Sequence, residues 1–164
     1  MILIGIGGNL RSPQFGEPVK TLTAALTVLE TEHLKILTRS GWYRTEPVPR
    51  SEQPWFINAA VSLATQLGAQ ELLMSLQAVE RRFGRVRVRP NAPRVLDLDI
   101  LDYQGERIDT PSLVLPHPRL HQRRFVLMPI AEIAPDWRHP ILKLTAQQLL
   151  ARLSFEQQVV RLPC

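Results

Sequence analysis

Between Pro93 and Ile100 the chain reads Pro-Arg-Val-Leu-Asp-Leu-Asp-Ile, and no other stretch restricts the fold so tightly. Alternating apolar and acidic residues make a strand with one buried face, because side chains on a strand alternate sides. Leu96, Leu98 and Ile100 therefore face a core, and Asp97 and Asp99 stand side by side on the opposite face. Strand interiors are poor in Asp, and two ionised carboxylates at neighbouring same-face positions repel. A cation has to compensate them. Magnesium, a hard ion that takes carboxylate oxygens and keeps waters for substrate phosphates, suits the pair. The bland alternative is an edge strand whose solvent face carries two acids.

The flanking charge argues against that alternative. The chain has 20 basic and 15 acidic residues, for a net charge of +5, and 17 of the basic residues are Arg. Six of these fall between Arg81 and Leu96 (positions 81, 82, 85, 87, 89 and 94) with no acid among them. Arg binds phosphate oxygens in pairs through a planar fork. Nucleic acid and a small polyphosphate are both partners for such a surface. Metal-binding acids beside phosphate-binding Arg is the combination that phosphoryl transfer requires.

Around this segment the chain divides regularly. Ile2–Gly7 is a short Ile-rich run that reads as a buried strand. Leu22, Ala25, Leu26 and Leu29 keep helical spacing within 17–32, and 34–44 reads as a second strand. Three prolines make 45–54 a loop, and 55–65 resumes as a strand. A second helix over 68–83 carries Leu72, Leu73, Leu76, Val79 and Phe83 in its apolar stripe, and Gly84 ends it. A loop to Pro93 and a strand over 94–103 come next. Gln104-Gly105 then turns into a short arm near Ile108, and the remainder reads as short helices and turns. The order β-α-β-β-α-β plus a tail predicts an α+β fold, a ferredoxin-like antiparallel sheet in a single domain over 1–164.

The length of 164 residues fits one domain. No apolar run approaches the ~20 residues of a membrane helix, and the N-terminus lacks signal-peptide character. A lone Cys164 forms no internal disulfide. The expectation is a cytoplasmic protein with no membrane partner.

Three further groups bear on chemistry. His117 is fixed between Pro116 and Pro118, with Arg119, Arg123 and Arg124 nearby as a second phosphate wall; His33, His121 and His139 have no such context. Gly5-Ile6-Gly7-Gly8-Asn9 has neither dinucleotide nor P-loop spacing, so its glycines serve a tight turn and close packing beside the site. Phe56, Asn58 and Phe125 could form a flat slot with a polar end, although composition alone reads them as core.

In order along the chain these segments resemble 6-hydroxymethyl-7,8-dihydropterin pyrophosphokinases of folate biosynthesis. The marks are IGIGGNL at 4–10, YRTEP at 43–47, FINAAV at 56–61, Gln77 and Glu80 in the second helix, GRVR at 84–87, PRVLDLDI at 93–100 and PHPRLHQRRFVL at 116–127. The resemblance implies an α/β/α sandwich that transfers pyrophosphate from ATP to a pterin alcohol. It further implies that Asp97 and Asp99 hold two magnesium ions, and that Arg85 and Arg94 close on the phosphates as catalytic residues. Gln77, Glu80, Arg87, His117 and Arg123 are then ATP contacts. Thr45, Glu46, Val48, Phe56, Asn58 and Phe125 are pterin contacts, with Asn58 bonding the ring and the two Phe rings enclosing it.

This chain also departs from the pattern. Gly8 stands where the family usually has Ser, the loop from Arg85 to Arg94 is one residue shorter, and Asn91 replaces a loop aromatic. Ser112 and Val114 occupy positions of polar or basic nucleotide contacts. A nucleic-acid-binding module would explain the basic charge but not two strand acids beside it. A two-metal nuclease would need further acids near Asp97 and Asp99. The expected partners are ATP and a reduced pterin alcohol, without nucleic acid, and the expected state is a monomer.

Overall fold

The computed structural model describes residues 1–85, 90–154 and 157–163. Arg87, expected as an ATP contact, lies outside the described residues, as does Cys164. The described chain runs β1 (Ile2–Gly8), α1 (Pro18–Leu29), β2 (Leu34–Arg39), β3 (Tyr43–Thr45), β4 (Phe56–Thr65), α2 (Ala69–Arg82), β5 (Asp97–Tyr103), β6 (Ile108–Asp109), β7 (Val114–Leu115), α3 (Arg124–Ile133), α4 (Ala146–Leu150) and β8 (Val159–Arg161). The main sheet has the order β5-β1-β4-β3-β8 and every pairing in it is antiparallel. β4 is long enough to pair with β3 over Phe56–Asn58 and with β2 over Val61–Thr65. This is the expected ferredoxin-like arrangement, with its second strand broken in two and β8 added at the edge.

Strand alternation divides the apolar residues between two cores. Ile2, Ile4, Ile6, Ala59, Val61, Leu63, Leu98 and Ile100 meet Leu22, Ala25 and Leu29 of α1 and Leu72, Leu76 and Val79 of α2. On the other face Leu3, Ala60 and Leu101 meet Val126, Leu127 and Ile130 of α3 and Ala146 and Leu149 of α4. The result is an α/β/α sandwich. Pro18 opens α1 at a position where its missing N–H costs nothing, and Gly84, at φ +83°, takes the left-handed conformation just after α2.

A bulge in β5 redirects one of its side chains. Leu3 pairs with Asp102 but Ile4 pairs with Ile100, so Leu101 is the extra residue and Asp102 joins it on the α3 face. Asp102, now buried, accepts a hydrogen bond from Trp137 Nε1 at 2.7 Å.

Four expectations are corrected. The strand predicted over 34–44 breaks at Ser40 and Gly41. Ser40 Oγ accepts from the Ala60 N–H at 3.0 Å, and a Cβ on Gly41 would overlap the Arg161 guanidinium. The strand predicted over 94–103 begins at Asp97, because the Arg94 carbonyl is taken by the N–H groups of Asn9 (2.9 Å) and Leu10 (3.1 Å). The arm near Ile108 pairs with β7 in a separate ribbon instead of returning on β5. The remainder, read as short helices and turns, includes the ten-residue α3, which continues through Pro129, and the strand β8. No helix among the described residues is long and apolar enough to cross a membrane.

Candidate active site

The site exists because side chains are missing from one patch of the α3 face. Across the centre of the sheet Gly5 lies between Asp99 and Ala60, and Gly7 between Asp97 and Asn58. Elsewhere this face carries Leu3 and Leu101, which α3 and α4 cover. Two glycines and an alanine leave the floor bare, and a cavity of about 250 Å³ opens over it.

The sheet order puts Phe56, Asn58 and Thr45 of β4 and β3, with Glu46 and Val48 just after, at one end of the cavity and Asp97 and Asp99 of β5 at the other; Arg94, Arg119 and Arg123 also line it. Phe125, at the start of α3, lines it too. All six residues expected to contact a pterin are therefore brought together with both expected metal ligands and two of the expected phosphate contacts. Asn58 Oδ1 and Thr45 Oγ1 are buried with no hydrogen-bond partner among the described residues. A buried acceptor without a donor is costly, so Asn58 Oδ1 has free capacity for a donor entering the cavity. Gly7 makes its position possible: a Cβ there would overlap Asn58 Nδ2 and crowd the Ile57 carbonyl at 3.2 Å.

The acids at the other end are unequal. Burial pushes the Asp97 carboxyl up, but Arg85 and Arg94 outweigh this and hold it below the ordinary carboxylate range. Arg85 Nη1 pairs with Asp97 Oδ1, and Arg94 Nη1 lies 3.3 Å from Oδ2. Asp99, pushed up by burial first and by the Asp97 charge second, reaches about 7. A half-neutralised pair of this kind gains most from a bound cation.

No group of three or more His, Cys, Asp or Glu able to hold a metal occurs among the described residues. Two carboxylates suit an ion that completes its shell with water and substrate oxygens, as magnesium does, and do not suit an all-protein cage. The residues present fit the expected metal.

The remaining expected contacts divide. Glu80, only 2% exposed, accepts from the Leu98 N–H at 2.9 Å and pairs with Arg85, so it ties α2 to the acid-bearing strand. Gln77 is half-buried on α2 and does not line the cavity. His117 also stands outside the lining; its N–H donates to the Leu101 carbonyl at 3.0 Å, at the bulge. Burial, then the Arg123 charge, lowers His117 to about 4, so it is neutral at pH 7. Its Nδ1 accepts from the Arg119 N–H at 3.2 Å.

The cation and ring pairs link the two ends of the cavity. Arg94 lies 5.3 Å from the centre of the Phe56 ring and Arg123 lies 5.5 Å from that of Phe125. Sequence reasoning missed Asn91, Gln122 and Gln157 in the lining. Gln157 Nε2 donates to the Glu46 carbonyl at 3.0 Å, a contact across 111 residues that no local signal reveals.

The family model described as 7,8-dihydro-6-hydroxymethylpterin-pyrophosphokinase matches residues 3–135. The chain is 41% identical over 134 residues to a 2-amino-4-hydroxy-6-hydroxymethyldihydropteridine pyrophosphokinase of Methylorubrum extorquens, covering 81% of this chain and 82% of that one. It is 37% identical over 163 residues to the protein of the same name from Pseudomonas aeruginosa, covering 99% and 96%. Among solved structures it resembles a triple mutant of Plasmodium falciparum HPPK-DHPS crystallised with STZ-DHP. There the TM-score is 0.68 at 13% identity, over 92% of this chain and 41% of that chain, which speaks to the fold alone. On the match over residues 3–135 and the identity to full-length relatives, the chain belongs to the 7,8-dihydro-6-hydroxymethylpterin-pyrophosphokinase family.

Proposed function

We propose that this cavity transfers pyrophosphate from ATP to the hydroxymethyl oxygen of 6-hydroxymethyl-7,8-dihydropterin, releasing AMP. The observation that carries the reading is a single cavity with an aromatic, hydrogen-bonding end and an acidic, Arg-rich end. The first holds Phe56, Phe125 and the unpartnered Asn58 Oδ1, and the second holds Asp97, Asp99, Arg94 and Arg123.

The pterin is a flat heterocycle with N–H groups on one edge. Phe56 and Phe125 enclose its faces, Asn58 Oδ1 accepts from its edge, and Thr45, Glu46 and Val48 border it. Its hydroxymethyl arm then points along the floor toward the acids. The alcohol oxygen attacks the β-phosphorus as the bond to the α-phosphate oxygen breaks, so AMP leaves. No protein nucleophile takes part and no general base is assigned.

Two magnesium ions on Asp97 and Asp99, when bound, neutralise the phosphate charge and hold the triphosphate in line. Arg85 and Arg94 move from Asp97 to the phosphates, where their forks meet the charge that develops during transfer. Arg123 completes the phosphate wall. Gln77, Glu80, Arg87 and His117 serve as nucleotide contacts in this reading. Positioning and electrostatics supply the rate, and the Arg-rich segment has to exclude water from the transferring group.

The test is incubation with ATP, magnesium and the reduced pterin alcohol, with nucleotide products resolved by chromatography. AMP and a diphosphorylated pterin, formed one for one, are expected. ADP with a monophosphorylated pterin overturns the reading.

A further inference from the structure

Asn9 is the last polar residue one would replace here, although it does not line the cavity. It follows the final residue of β1, is 3% exposed, and engages every polar atom of its side chain. Its Oδ1 accepts from the Arg94 N–H at 2.9 Å, and its own N–H donates to the Arg94 carbonyl at 2.9 Å. The Arg94 peptide groups are thus held on both sides by one residue. In the other direction Asn9 Nδ2 donates to the Pro54 carbonyl at 2.8 Å and to Gln53 Oε1 at 2.9 Å. Gln53 Nε2 then donates to the Asn91 carbonyl at 3.2 Å, returning to the Arg-rich segment three residues before Arg94.

The network therefore closes a ring through two segments of the site. One is the Pro-rich loop after β3, which begins with Glu46 and Val48. The other is the segment 90–95, which presents Arg94 to Phe56 and Asp97. Only an amide of this size supplies one acceptor and two donors in these directions; Asp has no donor, and Leu has neither. A fully satisfied buried network of this kind defines one position and transmits a displacement.

We propose that Asn9 is a positioning residue for the transfer. It holds the Arg94 main chain in register, and through Gln53 and Asn91 it makes that register depend on how the pterin-side loop is seated. Filling the pterin end then favours the Arg94 position needed at the phosphates. The proposal rests on the function inferred above.

Two variants test it. Asn9→Asp keeps the size and the acceptor for Arg94 but loses both donations to the loop. Gln53→Ala removes the bridge at a half-exposed position and carries the test alone if Asn9→Asp does not fold. Binding of 6-hydroxymethyl-7,8-dihydropterin is titrated with and without a non-hydrolysable ATP analogue plus magnesium, and kcat and both KM values are measured. In the wild type the analogue should tighten pterin binding. In each variant that tightening should fall by about fivefold or more. kcat should fall by about 10–100-fold, as expected when a reacting group is misplaced. Pterin affinity without nucleotide should stay within about twofold, a difference too small to matter beside such coupling.

If the wild type binds neither probe, the assigned function fails and this proposal with it. If it binds both but shows no tightening, the proposal alone is overturned. The same holds if the variants keep wild-type kcat and tightening, or merely lose thermal stability with both affinities falling alike.

Discussion

Arg94 reaches forward three residues to place Nη1 3.3 Å from Asp97 Oδ2, while Arg85 pairs with the other oxygen of the same carboxylate. Asp97 is thus neutralised by the two side chains proposed above as phosphate contacts. Asp99 has no such pair among the described residues, and burial, then the Asp97 charge, raises it to about 7. Replacing Asp99 by Asn should lower turnover by at least about 10²–10³-fold, as when one preorganised electrostatic contact is lost. The melting temperature should hold or rise, since the variant no longer sets two carboxylates side by side. Steady-state AMP release and thermal unfolding check this; near-normal magnesium-dependent activity would show that the pair is ordinary surface charge.

Arg94→Ala separates ground-state binding from catalysis. If its fork acts on charge that develops during transfer, kcat should drop by about 10²–10³-fold. ATP affinity, read by titration with a non-hydrolysable analogue, should change much less. Equal losses in both would assign Arg94 to binding alone.

Gly7→Ala tests how the pterin end is built. The added methyl would overlap Asn58 Nδ2, and the side-chain amide has to turn away. KM for the pterin should rise by about tenfold, the effect of one hydrogen bond to a buried group. Affinity for the ATP analogue should be retained. An unchanged pterin KM would remove Asn58 from recognition.

Glu132 fastens the added strand β8 and the break between β2 and β3 to α3. Its carboxylate accepts from the Gly41 N–H (2.5 Å), the Tyr43 hydroxyl (2.9 Å) and Arg161 Nε (2.6 Å). Burial raises its pKa, but these three donors outweigh burial and place it below the usual 4.5. A carboxyl lowered by folding contributes stability above its unfolded pKa and loses that contribution as pH falls toward the folded one. Glu132→Gln should therefore cost about 1–2 kcal/mol at pH 7, as for loss of charge-assisted hydrogen bonds at a partly exposed site. The gap between wild type and variant should narrow below about pH 4.5. Urea unfolding at pH 7 and at pH 3.5 measures it, and a gap that is constant or widens in acid contradicts this role for Glu132.

Much of the fold is legible one element at a time. The helical stripes of α1 and α2 and the alternation of β5 are local patterns, and each reports which side of its element meets a core. The broken second strand is not legible in this way: Ser40 and Gly41 depart from β geometry to meet Ala60, Glu132 and Arg161, the last more than 100 residues away. β8 has three residues, two of them exposed, and becomes a strand only because the edge of β3 is there to pair with.

For the site, sequence alone determined that Asp97 and Asp99 share a face and that an Arg-rich segment with no acid of its own flanks them. Both come from residue type and a two-residue period. Tertiary structure decided which residues complete the cavity and which stand apart from it. The cavity is made of side chains that are absent at Gly5 and Gly7, and its floor is defined only by the strands placed on either side. Asn9 and Gln53 carry no pattern of their own either; they matter because folding buries Asn9 between two distant loops, where each polar atom has to find a partner. Periodicity reports the face a residue turns to the core, whereas a site depends on distances between segments, and those are set only when the whole sheet has paired.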